Sequence, residues 1–318
     1  MTKLAMSPRK KELVLGTALW GWGVDKANAF KLLDCFVLRG GKIIDTATNY
    51  PINKKEKDCG VALKWIKEWL LLNENADLFV IVKVGAVNNL GSSEVDLSAN
   101  HIKRTAERLC DVFGKHLSCI SIHWDSRAEA LGGLSSIEET VAAMVSLRKQ
   151  GLDIGMSGVK FPRLYFEAAP ALQNDWLIQV KENIPSNFSR LTYEEFFPQA
   201  RFLAYGINMG GLKEKNDRVD SSIQLRGVLL SQSIRQVLSR FLASEHGFVP
   251  RPNTYNQLAL ASTYTNISLS GVILGPRNVL QLIESMDYWD ELKTNLGESL
   301  HGYEIFQVLK SRILKVDS

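Results

Sequence analysis

The sequence predicts an α/β fold of the (β/α)8 TIM-barrel type with an extra C-terminal helix. Three observations carry that prediction. Eight short apolar runs alternate with amphipathic segments along the chain, the pattern of repeated βα units and a parallel sheet. Several runs end in a polar residue, and the first three such ends, Asp45, Lys83 and His123, recur about 40 residues apart, roughly one βα repeat. No stretch rich in Pro, Gly or Ser divides the 318 residues, so one domain spanning 1–318 is expected.

The predicted strands are Leu13–Gly16, Lys42–Ile44, Phe79–Val82, Cys119–Ile122, Asp153–Met156, Leu177–Val180, Phe202–Tyr205 and Val272–Leu274. They are brief and mostly apolar on both faces, as strands of a parallel sheet covered by helices must be. Helical spacing appears in Lys26–Leu38, through Phe30, Leu33 and Val37, and in Glu56–Leu70, through Val61, Trp65, Ile66 and Trp69. Ile137–Gln150 carries Val141, Met144, Val145 and Leu147, with Gly151 as a stop. Ser233–Leu242, Thr254–Ser262, Val279–Met286 and Gly302–Leu314 read as further helices. A doubly wound open sheet competes, but its Gly-x-Gly-x-x-Gly turn does not fit Gly16-Thr17-Ala18-Leu19-Trp20-Gly21.

Composition excludes other classes. Hydrophobic residues make up 45% and charged residues 23%, which is globular rather than disordered. Lys and Arg total 38 against 34 Asp and Glu, a net charge of +4. With a pI near 8.7, the chain is less basic than a typical nucleic-acid-binding domain, and no such partner is expected. No apolar run approaches the roughly 20 residues of a membrane span, and the N-terminal charges precede no apolar core of a secretory signal. Cys35, Cys59, Cys110 and Cys119 form no Cys-x-x-Cys pair. His116 and Cys119 lie close in sequence, but no second pair follows, so four reduced thiols, no metal site and a cytoplasmic location are expected.

A barrel brings its strand ends to one mouth, where distant residues converge. A lysine ending an apolar strand needs a partner for its charge, and Asp45 on the neighbouring strand can pair with Lys83. Tyr50, five residues beyond Asp45, can reach the same mouth. A phenol has a reference pKa near 10, and a nearby ammonium is expected to lower it towards the working pH. His123 can then hydrogen-bond a substrate oxygen. The implied chemistry is protonation of a carbonyl oxygen as hydride reaches its carbon.

These residues resemble the aldo-keto reductase family. Asp45-Thr46-Ala47-Thr48-Asn49-Tyr50 is similar to its Asp-Thr-Ala-x-x-Tyr signature, Val82-Lys83-Val84-Gly85 to its lysine strand, and Ile120-Ser121-Ile122-His123-Trp124-Asp125 to its histidine strand. The helix ending at Gly151 and the strand reaching Ser157 resemble helix four and strand five. The likeness runs from about Leu13 to Met286.

The resemblance implies a (β/α)8 barrel that reduces a small-molecule carbonyl with NADPH, NADH being the less expected cofactor. It implies Tyr50 as general acid, Lys83 and Asp45 as its tuning pair, and His123 as carbonyl orienter. Ser157 and Gln179 would hold the nicotinamide carboxamide and Tyr205 would stack on its ring. Gly16, Thr17, Trp20, Gly206 and Leu212 would line the cofactor, with Gly210 and Gly211 letting backbone approach the pyrophosphate. Gly275, Arg277, Gln281 and Glu284 would form the adenosine-phosphate loop and helix, with Arg277 on the 2′-phosphate. The chain departs from the family pattern at Gly158 (usually Asn), at Glu182-Asn183 (Tyr-Asn), at Gly206-Ile207-Asn208 (Ser-Pro-Leu) and at Ser285 (Asn).

Trp20, Trp22 and Trp124 follow strand ends and are expected to rim the mouth, with Trp22 and Trp124 facing an apolar, aromatic or sugar-like substrate. The charged loop from Lys213 to Ser222 reads as a lid over the cofactor. A monomer or small homo-oligomer is expected. Two other readings stay open: a cofactor-sensing regulatory subunit, like the potassium-channel β subunits of the same family, and a catalytically silent barrel.

Overall fold

The computed structural model of the protein describes residues 11–127, 133–209, 231–296 and 302–317. Its eight strands are β1 (Glu12–Gly16), β2 (Ile43–Ala47), β3 (Phe79–Val84), β4 (Leu117–Ile122), β5 (Asp153–Ser157), β6 (Trp176–Lys181), β7 (Arg201–Tyr205) and β8 (Leu269–Leu274). All pair in parallel in chain order, and β8 closes on β1, so the sheet is a barrel. Each predicted strand lies within an observed one or overlaps it.

Period-two alternation sets what each strand shows to the inside. Val14, Ile43, Ile81, Cys119, Leu177, Leu203 and Ile273 form one apolar cluster, the filling of the barrel. The intervening residues, such as Leu15, Ile44, Val80, Val82, Ile120, Ile154, Ile178 and Phe202, belong to the larger cluster shared with the helices. Both faces of the sheet are therefore covered, which is why the runs read as continuous apolar stretches.

The helices follow from capping and spacing. Helix α1 (Lys26–Leu38) starts at Asp25, whose carboxylate accepts from Asn28 N at 2.8 Å, and it buries Ala29, Leu32, Leu33 and Phe36. The predicted segment Glu56–Leu70 is divided: a 3-10 turn spans Glu56–Asp58, Gly60 takes a left-handed conformation, and α2 runs over Val61–Leu72. Helix α3 (Ala99–Phe113) went unpredicted. Ser98 caps it, and Ile102, Ala106, Leu109 and Phe113 form its buried face. Helix α4 (Gly133–Lys149) carries the predicted Ile137–Gln150 stripe. Helices α5 (Pro162–Ala168) and α6 (Phe188–Glu194) are too short to show a clear period.

Beyond β7 come α7 (Gln232–Ala243), α8 (Tyr255–Thr265), α9 (Val279–Leu296) and α10 (Tyr303–Asp317). Helix α9 continues well past the predicted Met286, because Tyr288, Trp289 and Leu292 prolong its buried stripe. The C-terminal α10 lies against α7 and α8. No described helix is long and apolar enough to cross a membrane.

Candidate active site

The same alternation that fills the barrel builds a polar layer above the filling. Two residues after Ile43 comes Asp45, after Ile81 comes Lys83, after Leu177 comes Gln179 and after Leu203 comes Tyr205. Backbone bonds between neighbouring strand ends hold this layer in register: Thr17 N to Asp45 O at 3.0 Å, Thr48 N to Lys83 O at 2.9 Å and His123 N to Val84 O at 3.0 Å.

Asp45, Tyr50, Lys83 and His123 meet here, and all four are buried, at 3%, 8%, 2% and 7% exposure. Lys83 Nζ donates to Asp45 Oδ2 in a buried ion pair. Gln179 Nε2 donates to Asp45 Oδ1 at 2.7 Å. The Lys83 ammonium lies 4.9 Å from the centre of the Tyr50 ring. The Tyr50 and His123 rings meet edge-on, with centroids 5.3 Å apart.

Electrostatics here differ from the sequence expectation in one respect. Burial pushes the Tyr50 phenol up, the Lys83 charge pulls it down, and Asp45 pushes it up again, with a net rise. The expected net lowering is not found, because desolvation of the phenolate outweighs the ammonium. Burial works against the Lys83 charge, but Asp45 and Tyr50 outweigh it and hold the ammonium above its ordinary value. Burial, and then Lys83, depress His123 well below the usual imidazole range, so its ring is neutral near pH 7. Its Nδ1 has no partner among the described residues.

The candidate cofactor residues continue around the mouth. Ser157, Gln179 and Tyr205 stand on adjacent strands, paired through Ser157–Gln179 and through β6 with β7. Ser157 is buried and Tyr205 is half-buried. Hydroxyl, amide and aromatic face thus share one arc beside the Lys83 pair, a donor set that fits a nicotinamide carboxamide and ring. Gly16 and Gly275 face each other across the β1–β8 seam: a Cβ on Gly275 would lie 4.0 Å from Gly16 O. A Cβ on Gly16 would fall 2.8 Å from Ile273 Cγ2, so packing alone already requires a glycine there. Thr17 is buried, its hydroxyl donating to Asp45 O at 3.0 Å. Arg277 is half-buried, and its Nε lies 4.0 Å from where a Cβ on Gly23 would be. Gln281 Oε1 accepts from Arg277 N at 2.9 Å, and Asn278 caps α9 by accepting from Gln281 N at 3.0 Å. The loop is thereby fixed at a helix N-terminus, which suits an anion. Glu284 is exposed on the next turn, and Gly206 holds a φ of +69° beside Lys181.

The profile of the Aldo/keto reductase family matches residues 12–295. The chain belongs to the aldo/keto reductase family. Its members are oxidoreductases that reduce carbonyl groups with nicotinamide cofactors. Among curated proteins the chain is similar to "Putative aryl-alcohol dehydrogenase AAD6" of Saccharomyces cerevisiae. The two are 26% identical over 159 residues, covering 47% of this chain and 69% of that protein.

The positions where this aldo/keto reductase departs from the family pattern have local physical reasons. Gly158 has a φ of +56°, and a Cβ there would approach Trp124 Cβ at 3.1 Å and His123 O at 3.2 Å. Glycine occupies that left-handed position without strain, and Asn is the side chain that tolerates it best. Glu182 is buried and paired with Arg190 Nε at 2.7 Å, so its charge serves the packing of α6 on β6. Ser285 joins a polar chain, accepting from Asn256 Nδ2 at 2.9 Å, while Asn208 Nδ2 donates to Asn256 Oδ1 at 2.6 Å.

The tryptophans divide. Trp20 is fully buried within the apolar core, in the turn where its backbone bridges Val24. Trp22 is half-buried in that turn, whose Gly21 packs on Pro51 beside Tyr50. Trp124 is half-buried with its ring 4.2 Å from His123. Asp125, quoted from the sequence only as part of a motif, anchors this segment: Tyr165 donates to it at 2.7 Å and Arg127 Nη2 at 2.8 Å. The Trp124-Asp125-x-Arg127 spacing was its available signal. Gly210, Gly211, Leu212 and the expected lid from Lys213 to Ser222 lie outside the described residues.

Proposed function

We propose that this chain reduces an aldehyde or ketone to an alcohol with NADPH, with Tyr50 as the general acid. The observation that carries the reading is the buried meeting of the Tyr50 phenol with the Lys83–Asp45 pair and a neutral His123. A nicotinamide cofactor supplies the hydride when bound. Ser157, Gln179 and Tyr205 would hold its nicotinamide, and Arg277 would receive the 2′-phosphate that distinguishes NADPH from NADH.

The chain's own residues handle the proton. A raised phenol pKa keeps Tyr50 in its acid form across the neutral range. As charge grows on the substrate oxygen, Tyr50 donates its proton, and the Lys83 ammonium stabilises the phenolate left behind. With Nδ1 unpartnered among the described residues, the single proton of His123 is free to sit on Nε2 and donate to the same oxygen. The half-buried faces of Trp22 and Trp124 suit an aromatic or otherwise apolar carbonyl, in keeping with the name of the yeast relative.

The test is turnover of a panel of aromatic and aliphatic aldehydes, followed through NADPH oxidation. Tyr50→Phe should lower kcat by about a hundredfold or more while binding NADPH as tightly as the parent. A Tyr50→Phe protein that reduces aldehydes at the parental rate refutes the mechanism.

A further inference from the structure

We propose that Asn89, assisted by Asn49, is a positioning residue that sets the Tyr50 phenol against the Lys83 ammonium. The proposal rests on the reading of Tyr50 as the acid.

Tyr50 lies in the loop between β2 and α2, and its own backbone bonds are long: Tyr50 N to Ala47 O and Ala62 N to Tyr50 O are both 3.3 Å. The following residues reach a left-handed conformation at Lys54, φ 61°, which a lysine adopts only when its surroundings impose it. What imposes it comes from the neighbouring loop. Asn89 is fully buried. Its side-chain amide donates to Pro51 O at 3.1 Å and Lys55 O at 2.8 Å, and approaches Asn53 Oδ1 at 3.3 Å. Its backbone carbonyl accepts from Lys54 N at 3.2 Å. Asn49, next to Tyr50, donates through Nδ2 to Asn88 O at 2.8 Å. The acid's loop is thus grasped on both sides of Tyr50.

The grasping loop leaves the end of β3, the strand that carries Lys83. The clasp therefore joins the segment bearing the acid to the segment bearing the ammonium. Since Lys83 is what opposes the burial-driven rise of the phenol, slack between the two segments weakens that opposition. A displacement near 1 Å also costs about a hundredfold in rate where geometry matters.

Asn89→Ala should lower kcat about 10- to 100-fold, leave KM for a reactive aldehyde and the NADPH Kd within about threefold, and move the alkaline limb of the kcat–pH profile upward as the phenol escapes Lys83. Asn49→Ala should show the same signs more weakly, and decides the matter if Asn89→Ala does not fold. In single-turnover measurements, adding Asn89→Ala to Tyr50→Phe should cost nothing further, because the clasp acts through the lost hydroxyl. If Tyr50→Phe is inactive but Asn89→Ala and Asn49→Ala keep the parental kcat, the clasp is overturned. It is equally overturned if their rates fall with an unmoved alkaline limb, or if the losses add in the double variant. Parental activity in Tyr50→Phe itself overturns the acid assignment instead.

Discussion

Replacing Lys83 by Met keeps the volume of the side-chain stem and deletes its charge. The two members of the ion pair are 2% and 3% exposed, so Asp45 is stranded away from water. One donor remains, the Gln179 amide at 2.7 Å. Removing one partner of a buried pair costs about 3–5 kcal/mol, and the retained neutral hydrogen bond places Lys83→Met near the lower end, at about 3 kcal/mol. Lys83→Met combined with Asp45→Asn removes both charges and should recover part of the loss, since no carboxylate is left stranded. Activity should behave differently. Both variants lack the cation facing Tyr50, so kcat for carbonyl reduction should fall about a hundredfold in each. Urea unfolding followed by tryptophan fluorescence gives the first quantity, and NADPH oxidation the second. A double variant as unstable as the single one would show that the stranded carboxylate is not the source of the loss. Parental turnover in Lys83→Met would remove the ammonium from the mechanism.

Other expectations follow from the same geometry. His123 has a depressed folded pKa, so its contribution to stability is full above the unfolded value of about 6.5 and is lost as pH falls below it. His123→Asn should flatten the acid side of the stability curve by up to about 1.4 kcal/mol per pH unit, measured as urea midpoints across that range; an unchanged slope would refute the assignment. Gly158→Asn should stay within about 1 kcal/mol of the parent, and Gly158→Val should lose more than 1 kcal/mol, because β-branching at positive φ is strained against Trp124 and His123; equal losses would count against this. Arg277→Ala should weaken NADPH binding about tenfold or more with little change for NADH, read from quenching of tryptophan fluorescence; parallel losses would exclude a 2′-phosphate contact.

The barrel was legible because its strands are covered on both faces and end in polar residues, so runs such as Phe79–Val84 stand out without any tertiary information. Helix α3 was not, although Ile102, Ala106, Leu109 and Phe113 repeat at helical spacing. Four apolar residues among Lys103, Arg104, Glu107, Arg108 and Asp111 make a narrow stripe, and the burial that gives it meaning is supplied by β3, β4 and α4. The division before α2 also went unpredicted. The apolar stripe begins only at Val61, and Gly60, with a φ of +80°, marks the boundary before it.

The candidate catalytic group was readable because of where the fold places it. Asp45 and Lys83 sit near strand ends, His123 directly follows β4 and Tyr50 lies in the loop after β2; strand ends share one mouth, and the spacing of one βα unit is written directly in the sequence. Its electrostatics were not readable. Proximity of Lys83 to Tyr50 implies a lowered phenol pKa, whereas the net direction depends on how far water is excluded from a side chain that is 8% exposed. Exclusion is a property of the surrounding loops, and those loops are held by amides such as Asn89, whose partners are backbone carbonyls. A contact to a carbonyl leaves no trace in the identity of the residue that offers it. The sequence thus announces side chains that meet other side chains, as Lys83 does Asp45, and conceals those that meet backbone. On the proposed clasp, the second kind sets how firmly the first is held.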